Sequence, residues 1–132
     1  MREYGFKESE FYAIAQRAYE LALQGAYDQA AVLLEGLNAV DPTDRYSLIT
    51  LAAVRLKQHR PADAAQLLEH RLKMDPADGE ARYLLLEAYM DENRRGEAER
   101  EWTRIQSAGR APGRLEARWR AFLQSTGQFR IS

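Results

Sequence analysis

The chain has 132 residues, 45% of them apolar and 30% charged, with a formal charge of −1. That suits one domain with a real core and gives no bulk attraction to nucleic acid or to an anionic membrane. With no cysteine and two histidines, the chain excludes disulfides, thiolate nucleophiles and cysteine-held metals, and leaves little for metal binding or general-base chemistry.

Residues 1–9 hold no apolar run of the kind a secretory leader needs and are expected to be a flexible N-terminus. The first helix is expected near Glu10–Gln24, closed by Gly25, and the second over Tyr27–Ala39, stopped by Pro42, which lacks an amide hydrogen. Asp44 stands before the next apolar run, where a short carboxylate can accept free helix amides and complement the helix dipole, so the third helix takes Asp44–Lys57. The fourth covers Pro61–Lys73 and is stopped by Pro76; the fifth covers Asp78–Asp91 behind Asp78, and the sixth Arg95–Ser107. A seventh, Gly113–Ser125, carries Leu115, Trp119, Phe122 and Leu123 on one apolar face. The tail, residues 126–132, is expected to fray. No run of ~18 apolar residues suggests a membrane span, so no membrane partner is expected and the cytoplasm is the expected location.

These elements repeat. Asp41, Pro42 and Asp44 recur as Asp75, Pro76 and Asp78, each 34 residues on. Ala30, Ala31, Leu33, Leu34 and Glu35 recur as Ala64, Ala65, Leu67, Leu68 and Glu69, and Ala18 as Ala52. A more diverged third copy keeps Leu85 and Ala98 and puts Trp102 where Leu68 stood. One turn position in each copy holds Gly25, His59 or Asn93; Gly and Asn tolerate the left-handed backbone of a helix end, and His does so less easily.

A period of 34 residues resembles the tetratricopeptide repeat, and the resemblance covers about Phe11 to Pro112. It implies an all-α right-handed superhelix of three helix pairs, residues 11–44, 45–78 and 79–112, with 113–125 as a capping helix that closes the stack. Small residues where paired helices touch are Ala18 and Ala52, then Ala30, Ala64 and Ala98. The family's early tryptophan is replaced by Ile14, Leu48 and Arg82, and its closing proline by Arg110 in the third copy, with Pro112 two residues late.

The resemblance also implies which residues face the concave groove. In copy one these are Tyr12, Ala15, Tyr19, Ala22 and Leu23; in copy two Tyr46, Ile49, Ala53, Leu56 and Lys57; in copy three Glu80, Tyr83, Glu87, Met90 and Asp91. Tyrosine supplies contact area at low entropy cost and a hydrogen-bonding tip, so this wall suits a protein client, held as an extended peptide or an amphipathic helix. The alternative for the tyrosines is packing between helices. Family members that clamp chaperone C-terminal carboxylates need Lys, Arg and Asn where this chain has Ala15, Tyr19, Thr50, Glu80 and Leu84. Glu80 would repel a carboxylate, which argues against that partner.

No enzyme is expected, and no cofactor or metal. His59 and His70 lack ligand spacing, and the aspartates at helix junctions read as caps. Charge is uneven: residues 1–93 hold 10 Lys and Arg against 16 Asp and Glu, whereas residues 94–132 hold 9 Arg against 4 Glu. Trp102, Trp119 and Phe122 sit there at core spacing, which favours a solvated face or an acidic partner over nucleic acid. Within the family, small three-repeat chains are similar to the bacterial type III secretion chaperones, which implies a client-holding chaperone. The other readings are a self-assembling scaffold, whose groove takes a second copy, and an adaptor using the arginine-rich end.

Overall fold

The computed structural model describes residues 7–131, with side chains through residue 125. The described residues form helices α1 (Glu8–Leu23), α2 (Tyr27–Val40), α3 (Arg45–Lys57), α4 (Pro61–Met74), α5 (Gly79–Asp91), α6 (Arg95–Ala108) and α7 (Gly113–Ile131). Each helix packs on the next from α1 to α6, and α1, α3, α5 and α7 also touch in series. The first helices of successive pairs therefore stand side by side as one wall, with the second helices behind them.

The expected boundaries hold to within about two residues except at the chain ends. α1 starts at Glu8, inside the segment expected to be flexible, while residues 1–6 lie outside the described part. α7 continues past Ser125 to Ile131, into the segment expected to fray.

The repeat is visible in local geometry. His59 and Asn93 adopt positive φ, as Gly25 does. In all three turns the residue after this position donates back five residues: Ala26 to Leu21, Arg60 to Arg55 and Arg94 to Tyr89, at 2.8–2.9 Å. This is the Schellman closure, which satisfies carbonyls left free at a helix end. The two Asp-Pro turns also match. Asp41 accepts from the Thr43 amide and Asp75 from the Ala77 amide, both at 3.1 Å, before Asp44 and Asp78 cap α3 and α5 through Ser47 and Ala81. The third copy lacks this turn; Gly109 ends α6 instead, at positive φ.

Ala18, Ala30, Ala52, Ala64 and Ala98 are all fully buried, as small residues at helix crossings must be. Two apolar clusters form the core. One joins α1 and α2 to Leu51 and Val54 of α3. The other runs from Ile49 and Ala52 through α4, α5 and α6 to Leu115 and Trp119. Trp119 stacks on Trp102 at 5.5 Å and on Phe122 at 5.7 Å between ring centres. The apolar face read in α7 thus seals the last pair.

Polar pairs fasten neighbouring copies. Asp78 is buried and accepts from Arg45 (2.7 and 3.0 Å) and Arg71 (2.8 Å) besides the Ala81 amide (3.2 Å). The Arg45 bonds, ahead of those from Arg71, hold the Asp78 carboxyl well below the usual carboxylate range, and Asp78 in turn raises Arg45. Glu35 of α2 pairs with Arg55 of α3; at the equivalent place one copy on, Glu69 accepts from the Tyr89 hydroxyl at 3.1 Å. Burial, then Glu69, raises the Tyr89 hydroxyl.

In place of the family's tryptophan, Arg82 has an internal partner. It donates to Glu101 of α6 at 3.0 Å, and Glu101 is 2% exposed. Glu101 lies 34 residues beyond Leu67, as Arg82 does beyond Leu48. The third copy has exchanged an apolar pair of positions for an ion pair.

Candidate functional site: the concave wall

The wall is built by α1, α3 and α5, and its two ends differ. Tyr12 (63% exposed), Tyr19 (44%), Leu23 (70%) and Tyr46 (39%) project from α1 and α3. Only Val32 on α2 and Met74 on α4 join them as large exposed apolar side chains among the described residues. Tyr12 meets the buried Phe11 ring edge-on at 6.1 Å between ring centres. Burial raises the Tyr46 hydroxyl above its ordinary value, a hydrogen bond with Thr50 opposes that, and the nearby Tyr19 adds to the rise. Ala22, Ala53 and Leu56 are half-buried and Lys57 is exposed.

Ala15, Ile49 and Met90 are buried, in contrast to the other residues of the expected wall. Ala15 belongs to the first core cluster and Ile49 and Met90 to the second. They support the wall from behind and offer little surface to a partner. The reason is helical geometry: residues three or four apart share a face, and a face that borders a neighbouring helix lies half inside the stack.

In copy three the wall is spent on ion pairs. Glu80 accepts from Arg45 at 2.9 Å. Glu87 and Asp91 both face Arg118 of α7, at 3.5 Å for Glu87. Tyr83 is half-buried against the second core cluster. Sequence reading counted Arg45 and Arg118 as charges and missed their place on the wall. Arg118 lies 27 residues from Asp91, a distance at which local patterning carries no signal.

The arginine-rich end is largely internally compensated. Arg94 pairs with Glu92 and Glu97, Arg95 with Glu99, Arg104 with Glu101, Arg118 with Glu87 and Asp91, and Arg120 with Glu116. Arg94 also lies 4.7 Å over the Tyr89 ring. Its bonds to Glu97 and Glu92 raise its pKa. His59 and His70 are exposed and lie on separate elements, the α3–α4 turn and α4. Among the described residues no helix is long and apolar enough to cross a membrane.

Residues 55–123 match the sequence profile of the tetratricopeptide repeat family. The chain belongs to that family, and its fold is the all-α superhelix of stacked helix pairs. The type III secretion translocator chaperone SycD of Yersinia enterocolitica, in its alternative dimer, superposes with a TM-score of 0.78 at 18% identity, over 96% of this chain and 98% of that one. PcrH of Pseudomonas aeruginosa gives 0.77 at 19% identity, over 91% and 93%. PcrH in complex with the chaperone binding region of PopB gives 0.75 at 20% identity, over 90% and 98%. No curated protein matches the chain by sequence.

Proposed function

We propose that the protein is a non-catalytic binding module that holds a segment of a client protein against the Tyr12, Tyr19, Leu23 and Tyr46 wall, as a type III secretion-type chaperone does. The observation that carries this reading is where the exposed apolar side chains lie: among the described residues, four of the six large ones occupy α1 and α3. A contiguous apolar surface marks an interaction site more often than a free surface. Binding would draw on apolar burial at ~25 cal/mol per Å2, less the cost of ordering the client. The shape shared with PcrH bound to a chaperone binding region supports a peptide-length occupant. Such a chaperone works in the cytoplasm by covering an aggregation-prone stretch before export.

The test uses Tyr12→Ala combined with Tyr46→Ala. Both side chains are exposed, so folding should be retained. Affinity purification from the native host should recover a partner with the wild-type chain and lose it with the variant. Calorimetry on a synthetic segment of that partner should show binding weakened by more than ~1 kcal/mol. Wild-type affinity in the folded variant would refute the wall.

A further inference from the structure

Ion pairing leaves a remainder at the copy-three end of the molecule. Among the described residues every arginine except Arg100, Arg110 and Arg114 pairs with a carboxylate. Arg110 and Arg114 stand at the two ends of the short connection from α6 to α7, and each borders an open pocket. One pocket, of about 160 Å3, is lined by Gly79, Arg82 and Tyr83 at the start of α5, by the end of α6 and by Arg110. The other, of about 280 Å3, lies between α5 and α7 and is lined by Tyr83, Glu87, Pro112, Arg114, Leu115 and Arg118. Tyr83 borders both.

Three observations select an occupant. First, the groups left open are cations and a donor. Arg82 is taken by Glu101 at 3.0 Å and by the Pro76 carbonyl at 2.9 Å, and Glu87 by Arg118 at 3.5 Å. Arg110, Arg114 and the Tyr83 hydroxyl remain, without a partner among the described residues. Guanidinium has no acceptor, so these groups call for a negatively charged one. Second, they can be reached: Arg110 and Arg114 are exposed and Tyr83 is half-buried, so nothing packed has to move. Third, the two cations are divided. Arg110 borders the first pocket and Arg114 the second, with Tyr83 between them. That suits two carboxylates spaced along a chain better than one compact anion. A long polyanion such as nucleic acid would be repelled beyond this corner, because residues 1–93 hold 16 Asp and Glu against 10 Lys and Arg.

We propose that the α6–α7 corner docks an acidic segment of a partner protein, with one carboxylate on Arg110, a second on Arg114, and the Tyr83 hydroxyl donating to one of them. In a chain whose other arginines nearly all find a carboxylate within the fold, two neighbouring exceptions beside open pockets mark a place where the carboxylate comes from outside. The corner stands apart from Tyr12, Tyr19 and Tyr46 and does not depend on them.

The probes are hexaglutamate, its neutral match hexaglutamine, and an oligothymidylate of equal length. Each is titrated into the whole chain at low salt and followed by amide NMR. The expected result is saturable shifts with hexaglutamate at Tyr83 and at residues 109–114, none with hexaglutamine, and weaker binding of the oligothymidylate. Arg110→Gln with Arg114→Gln should weaken hexaglutamate by about 10-fold, the worth of two exposed ion pairs. Arg17→Gln with Arg100→Gln removes the same charge elsewhere and should change binding by less than about 2-fold. Tyr12→Ala with Tyr46→Ala should bind hexaglutamate as the wild-type chain does, which separates failure of the wall from failure of this corner. Equal losses in the two arginine variants would reduce the effect to bulk charge and overturn the proposal. So would tighter binding of the oligothymidylate at these residues, shifts centred elsewhere, or no shift with hexaglutamate.

Discussion

Copies one and two differ from copy three in where they spend their charge. In the first two, Ile14 and Leu33, then Leu48 and Leu67, hold matched places with apolar side chains, and tyrosines stand out from the wall. In copy three the matched places carry Arg82 and Glu101, and the wall residues Glu87 and Asp91 are paired to Arg118. The order of the helices and the way each packs on the next are shared. One half of the molecule therefore keeps large apolar side chains exposed, while the other pairs its wall carboxylates internally and closes under α7. Repeat architecture fixes the backbone; the residues placed on it decide which half leaves large apolar side chains exposed.

The sharpest way to break this comparison is inside copy three. Arg82→Leu alone leaves Glu101 buried beside the half-exposed Arg104 and is expected to cost ~3 kcal/mol in urea denaturation. Arg82→Leu with Glu101→Leu restores the apolar pair of copy two and should recover most of that loss. A silent single variant would show that the two pairs are not equivalent.

Asp78 joins copies two and three, and its loss comes next in size. Asp78→Asn weakens its bonds to Arg45 and Arg71 and should cost ~2 kcal/mol near neutral pH. Because Asp78 titrates below its unfolded value, its contribution is present above about pH 4 and is lost as pH falls toward the depressed value. Stability measured against pH should drop through that window in the wild-type chain and be flatter in Asp78→Asn. Equal slopes would remove Asp78 as the source.

The smallest effect sharpens the match between turns. His59 sits at φ 61° where copy one has Gly25, and a side chain with a Cβ is strained there. His59→Gly should gain ~0.5–1 kcal/mol, reduced from the full strain by the added freedom of glycine when unfolded. Asn93→Gly should gain less, since Asn tolerates this backbone. The reverse order would contradict the shared turn geometry.

Most of the fold was legible because the offset of 34 recurs in residues with strong local physics: the Asp-Pro turns, the capping aspartates, and the Gly25, His59 and Asn93 positions. The wall was legible in part. Tyr12, Tyr19, Leu23 and Tyr46 lie open as the resemblance implied, whereas Ala15, Ile49 and Met90 turn inward. Which of these it would be depends on how far each helix pair rotates on the last, a property of tertiary packing. The long-range pairs, Arg45 with Asp78 and Arg118 with Asp91, join residues 33 and 27 apart, and nothing in a one-dimensional pattern marks them.

The wall itself can be tested by placing a photoreactive benzoylphenylalanine at Tyr19 (44% exposed) or, as a still more open control, at Val32 on α2 (68%), and irradiating the chain in its native host. Open surface alone would label from both places. The account predicts a crosslinked partner from Tyr19 and none from Val32; crosslinking from Val32 with none from Tyr19 would contradict it.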